Sequence, residues 1–166
     1  MTRKLYRLTK KTRFANNPKT QCNAKKVFGK ITEKGAAGPE LLEATRRIGG
    51  CPTGEARISK GYKLPAKWVI HTVGPVWRGG HKDEDNLLAS CYRNSFKEAE
   101  KHGIKTIAFP SISTGVYRFP LKRATEIALN ETKKFLEETD AIESVVFVCF
   151  GTNVTKTYQK VFTQVF

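Results

Sequence analysis

Ile104 to Pro120 reads IKTIAFPSISTGVYRFP, and the reading of this stretch decides the fold. Thr106 to Phe109 is a short apolar run of strand character. Ser111 to Gly115 is small, hydroxylated and broken by glycine, and Leu121 onward reads as a helix with Pro120 at its first turn. A strand, a tight loop and a helix in that order aim several backbone N–H groups and a helix N-terminus at one point, which suits an anionic phosphate. In an open α/β sheet such loops lie at the carboxyl ends of the strands, where ligands bind. An ordinary turn that uses Ser and Thr as caps has the same composition, so the loop needs its surroundings.

Those surroundings repeat the pattern. Before the loop, Asp83 to His102 is an amphipathic helix in which Leu88, Cys91, Ser95 and Ala99 recur at three- and four-residue steps. Its acidic start, Asp83-Glu84-Asp85, favours the positive end of the helix dipole, and this explains the acids more simply than a metal does. After the loop, a helix is predicted over Leu121–Glu138, with Leu121, Ala124, Ala128 and Phe135 inward. Ser144 to Phe150, SVVFVCF, is almost wholly apolar, as a strand covered on both faces should be. A last helix, Val154–Phe166, carries Tyr158, Val161, Phe162 and Val165. Upstream, Lys67 to Val73 reads as a strand stopped by Gly74-Pro75, and Ala56 to Ser59 as a shorter one. Gly38-Pro39 opens a helix through Ile48, with Leu41, Leu42 and Thr45 along one side. Strand and helix alternate from Lys67 onward, which predicts an α/β sandwich with a mainly parallel sheet.

The first 35 residues are different. Lys4 to Thr9 is a candidate edge strand, but residues 10–35 show neither the period of a strand nor that of a helix. They belong to a segment of eleven Lys/Arg and one acid, Glu33, which carries most of the net charge of +15. Such a segment attracts polyanions nonspecifically, or is simply a solvated arm. At 166 residues one domain is expected, with 1–35 as its basic N-terminal segment and 36–166 as its core. No run approaches the roughly 20 apolar residues of a membrane span, and the N-terminus lacks the apolar centre of a signal peptide. Four scattered cysteines without metal spacing read as reduced thiols of a cytoplasmic protein, and neither a metal nor a cofactor is expected. His71 reads as a strand histidine and not as a base; His81 and His102 read as surface residues.

AAGPELLEATRRIGGCPTGEARISKGYKLPAKWVIHTVGPVW and LLASCYRNSFKEAEKHGIKTIAFPSISTGVYRFPL together closely resemble the macrodomain family, nearest its MacroD-type and bacterial branch, over about Ala36 to Phe150. The resemblance implies a three-layer α/β/α sandwich with a mixed, mainly parallel sheet and a cleft for ADP-ribose. Many members of that branch deacetylate O-acetyl-ADP-ribose or remove mono-ADP-ribose from acidic side chains. By resemblance, Ser111, Ser113, Thr114, Gly115, Val116 and Tyr117 would wrap the diphosphate, and Phe119 would lie near the distal ribose or its neighbouring loop. The implied partners are ADP-ribose, an ADP-ribosylated protein or O-acetyl-ADP-ribose, met by a monomer.

The departures fall in the first 35 residues. The family usually has GDIT, then IVNAAN, then a glycine run and VDGAIH. Here YRLT offers Arg7 where the family has its adenine-contacting Asp. IVNAAN has no clean equivalent, although FANNP supplies Asn16 or Asn17 with a gap. The glycine run reads Asn23-Ala24-Lys25-Lys26, and VDGAIH reads Val27-Phe28-Gly29-Lys30-Ile31-Thr32, without its Asp and His. Asn17, Val27, Gly29 and Ile31 are the remaining candidate ligand contacts, and no catalytic residue is assigned. Arg118 stands where a Gly is frequent. Three readings follow: an ADP-ribose-binding hydrolase, a binding-only module whose first ligand loop has decayed, or a chain whose opening segment is aberrant and lacks an inner strand.

Overall fold

The computed structural model describes residues 37–166 and, as backbone, residues 12–15. The elements run β1 (Thr12–Ala15), α1 (Pro39–Ile48), β2 (Ala56–Lys60), β3 (Trp68–Thr72), α2 (Glu84–Lys101), β4 (Thr106–Pro110), α3 (Leu121–Glu138), β5 (Ser144–Val148) and α4 (Thr152–Val165). The candidate strand Lys4 to Thr9 lies outside the described residues. β1 corrects the reading of residues 10–35 as free of regular elements. TRFA is too short to show a period, and it pairs in parallel with apolar β5, so a tertiary neighbour makes the strand.

β5 is the middle strand of a parallel ladder, β1-β5-β4, in which Ala15, Val148 and Pro110 stand level at the carboxyl ends. β2 and β3 form a separate antiparallel pair. Two ladders thus stand where one sheet was expected, because no described strand joins β3 to β4.

Two neighbouring residues of β3 establish the layers. Ile70 packs into the main core and Val69 into a small cluster of Ala37, Leu41 and Leu64, so α1 sits on one face. The opposite face belongs to α2, α3 and α4, whose Tyr92, Phe96, Leu129 and Tyr158 close over Ile107, Phe109, Val145 and Phe147. Phe109 is the hub of this core, with ring centroids of Tyr92 and Phe96 at 5.1 Å and that of Phe147 at 6.1 Å. Each such ring contributes about 1.5–3 kcal/mol by leaving water. Two helix faces differ from expectation. In α1 the buried residues are Leu41 and Ala44, and Leu42 is 50% exposed. In α3 the buried stripe runs through Ala124, Ala128, Leu129 and Leu136, with Phe135 at its margin stacked on Phe96 at 4.4 Å.

Candidate ligand-binding site

The loop after β4 is built from below. Tyr92 of α2 and Tyr158 of α4 are buried together beneath it. The Tyr158 hydroxyl donates to Ser111 Oγ at 3.4 Å, and the Tyr92 hydroxyl meets the backbone of Ile112. Burial pushes the Tyr158 phenol up to about 12 and that of Tyr92 well above its usual value, so both are protonated at neutral pH and serve as fixed posts. Above them, Thr114 Oγ1 donates to the Ser111 carbonyl at 3.0 Å, the Phe119 N–H to the Ser113 carbonyl at 3.0 Å, and the Arg118 N–H to the Gly115 carbonyl at 2.9 Å.

These bonds leave the tip open. Among the described residues, none accepts a hydrogen bond from the N–H groups of Gly115, Val116 or Tyr117. Val116 is 92% exposed, and a Cβ added at Gly115 would meet nothing within 4 Å. The loop then enters α3, whose first turn has no acid and carries Lys122 and Arg123. Three unengaged amides ahead of a helix N-terminus are an arrangement that suits an anionic group.

The chain after β3 braces the loop. Gly74 abuts Ile112 and Ser113. The Trp77 N–H donates to the Tyr117 carbonyl at 2.9 Å, and its ring lies 4.8 Å from that of Phe119. Arg123 lies 5.3 Å over the Trp77 ring and grips Asp85 with two nitrogens, Nε at 2.8 Å and Nη2 at 2.7 Å. Glu84, buried at the start of α2, accepts from the N–H groups of Arg78, Gly80 and Lys82 at 2.9, 3.2 and 2.6 Å. Burial raises its pKa, but these amides together outweigh that and hold it at about 2. Because the folded value lies below the ordinary 4.5, the contribution is whole above that pH and is lost as pH falls toward 2. In a melting-temperature profile, Glu84→Gln is expected to lower Tm at neutral pH and to flatten the decline between those two pH values. An unchanged acid limb would show that this carboxylate is not what acid titrates.

Ser111, Ser113, Thr114, Gly115, Val116 and Tyr117 are therefore brought together in one loop. Phe119 adjoins the loop, its N–H bonded to the Ser113 carbonyl, and its side chain is 2% exposed and packs in the core beneath it. Asn17, Val27, Gly29 and Ile31 lie outside the described residues. Missed in the sequence is Phe150, 40% exposed just beyond β5. Pro110 pairs with Val148, so Phe150 follows the neighbouring strand at the level where the loop begins. Burial lowers the pKa of His71, whose Nε2 meets Ser59 Oγ at 2.8 Å, as suits a strand histidine. Cys51, Cys91 and Cys149 are free thiols, and burial pushes Cys149 up to about 11. Among the described residues no cluster could hold a metal ion, and no helix is long and apolar enough to cross a membrane.

Comparison with known proteins gives this fold a family. A family model described as Macro domain matches residues 19–128. Macro domain-containing protein CT2219 of Chlorobaculum tepidum is 58% identical over 125 residues, covering 75% of this chain and 73% of the relative. An O-acetyl-ADP-ribose deacetylase of Citrobacter rodentium is 49% identical over 133 residues, covering 78% and 75%. The crystal structure of a Trypanosoma brucei macrodomain in complex with ADP-ribose superposes with a TM-score of 0.69 at 48% identity, over 75% of this chain and 52% of that one.

Proposed function

Because the chain belongs to the Macro domain family, we propose that it binds ADP-ribose, free or as an adduct, with the diphosphate on the Ser111–Tyr117 loop. The observation that carries this reading is the set of unengaged N–H groups at Gly115, Val116 and Tyr117, ahead of a helix whose first turn is basic. A diphosphate needs that arrangement and a neutral ligand does not. Phe150, the exposed aromatic at the same end of the neighbouring strand, offers a face for the adenine. Phe150→Ala is expected to weaken ADP-ribose about fivefold in calorimetry, the lower end of what a stacked base contributes. Equal affinity of the two proteins would place the base elsewhere.

Hydrolysis of an ester-linked adduct is the second reading, supported by deacetylase relatives at 49% identity. The described half of the site favours binding. Glu84 is engaged by backbone amides and Asp85 by Arg123, so neither of these carboxylates stands ready as a base. Calorimetry with ADP-ribose, paired with turnover of O-acetyl-ADP-ribose and of a mono-ADP-ribosylated protein, separates the readings. Binding without turnover is the expected result. Turnover would assign the missing acid–base group to residues outside those described, and absence of binding would overturn the proposal.

A further inference from the structure

The hairpin that joins β2 to β3 reads KGYKLPAKW from Lys60 to Trp68, with three lysines, two aromatic rings and no acid. Its shape is fixed by its own bonds. Lys60 and Trp68 stand level in the ladder, the Gly61 N–H donates to the Lys67 carbonyl at 2.9 Å, and the Leu64 N–H donates to the Gly61 carbonyl at 2.9 Å. Leu64 packs with Ala37 and Leu41, which pins the turn to α1.

The rest of the turn is turned to solvent. Lys60, Lys63 and Lys67 are exposed, and Tyr62 is 41% exposed. Lys67 Nζ lies 5.7 Å from the centre of the Trp68 ring, and the His102 ring lies 5.4 Å from it, so Trp68 is engaged and orients the lysine. Tyr62 is the ring left open. Its φ is +49°, a left-handed conformation that is strained for a bulky side chain. A depression of about 480 Å³ lies beside it, lined by Tyr62, Pro65, Ala66 and Trp68, with Lys60 and Lys67 also in its wall. Two acids border the patch: Glu40, which like Lys63 lies against Gly38, and Glu98, 3.7 Å from His102. Among the described residues neither forms an ion pair with the three lysines.

We propose that this hairpin binds single-stranded nucleic acid, with one base seated in the depression against Tyr62 and the flanking phosphates met by Lys60, Lys63 and Lys67. A flat ring suits an apolar hollow edged by cations, and the stacked bases of a duplex do not reach it. An acidic peptide would use the lysines and leave the ring idle. Residues 1–11 and 16–36 hold ten Lys/Arg and one acid, so they add to the positive charge and supply no counter-charge to the patch. The hairpin sits at the amino end of β3, about 20 Å along the strand from Gly74, which meets Ile112 and Ser113 at the other end. Nucleic acid and ADP-ribose are therefore expected to bind independently, and this inference stands apart from the ADP-ribose reading.

The test is fluorescence anisotropy of the full chain with a labelled oligothymidylate of about twelve nucleotides, at several salt concentrations. Tyr62→Gly removes the ring and suits the left-handed backbone, so Tm should hold or rise while affinity falls at least about fivefold. A merely structural role would make the two move together. Tyr62→Phe should keep most of the affinity. Lys60→Gln combined with Lys63→Gln should flatten the dependence of log affinity on log salt by about 1.4, at about 0.7 per phosphate contact. Saturating ADP-ribose should change nothing. Wild-type affinity in Tyr62→Gly, or an unchanged salt slope in the lysine variant, would assign the binding to the basic N-terminal segment and overturn the proposal. Displacement by ADP-ribose would move the oligonucleotide to the loop after β4, and equal affinity for a duplex of the same length would reduce the contact to charge alone. Either result refutes the site, as does absence of binding.

Discussion

Gly115→Glu is expected to lower ADP-ribose affinity at least a hundredfold while leaving the fold intact. Gly115 has an ordinary backbone conformation, and a Cβ there would meet nothing within 4 Å, so the side chain has room in the free protein. That room is where the diphosphate would sit. A carboxylate about 5 Å from one phosphoryl charge, at an effective dielectric constant of about 20, is repelled by roughly 3 kcal/mol. Since about 1.4 kcal/mol is a factor of ten, a single such pair already exceeds a hundredfold. Gly115→Gln has nearly the same bulk and no charge, so it separates the two effects. It should bind measurably better than the glutamate variant, and added salt should narrow the difference only in part, because the charges meet at short range. Wild-type affinity in Gly115→Glu, with an unchanged Tm, would show that this loop does not hold the diphosphate.

The elements legible in the sequence are those whose residues meet their own chain neighbours. α3 occurs over Leu121–Glu138 as the apolar spacing predicts, and β4, β5 and α2 lie within a residue or two of their expected places. The loop between β4 and α3 was legible for the same reason, since strand, loop and helix are consecutive. What escaped depends on distant partners. β1 exists through β5, more than 100 residues away, and four residues cannot announce a period. The core place of Phe119 follows from Trp77, and nothing in the spacing of PSISTGVYRFP sets the Trp77 ring beside it. Phe150 read as the end of an apolar strand because a single letter cannot show that β5 stops at Val148 and leaves it 40% exposed.

Arg118 shows how a local substitution and a global shape are linked. Its φ is +55°, in the left-handed region that favours glycine, as a position with a frequent Gly in the resembling family would require. Ser113 is also left-handed, at +63°. Two strained residues in one short loop each cost about 1–3 kcal/mol and persist only where packing overrides them. The packing here is the tyrosine pair below and the Gly74–Trp77 segment alongside, so the shape of the seat is imposed from outside the loop.

Gly74→Ala tests that dependence directly, and is expected to lose both stability and affinity. Gly74 is buried with an unexceptional φ, so its lack of a side chain serves close approach and not backbone freedom. An added Cβ would lie 2.7 Å from the Ile112 Cγ2 and would overlap the Ser113 hydroxyl. Overpacking of this kind costs about 1–3 kcal/mol, a fall in Tm of roughly 2–9 °C for a chain of this size. The strain relaxes most cheaply by moving the loop, since its tip is held by few bonds and faces solvent. ADP-ribose affinity should therefore fall at least about tenfold, although residue 74 is outside the proposed phosphate seat. Ser113→Gly supplies the second arm of a cycle. It removes the overlapped hydroxyl, which is buried without a partner among the described residues, and suits the left-handed backbone. Combined with Gly74→Ala it should recover much of the lost Tm and affinity, leaving only the Ile112 contact. Additive losses in the double variant would mean that Gly74 and Ser113 act independently, and that the loop takes its shape from the tyrosines alone.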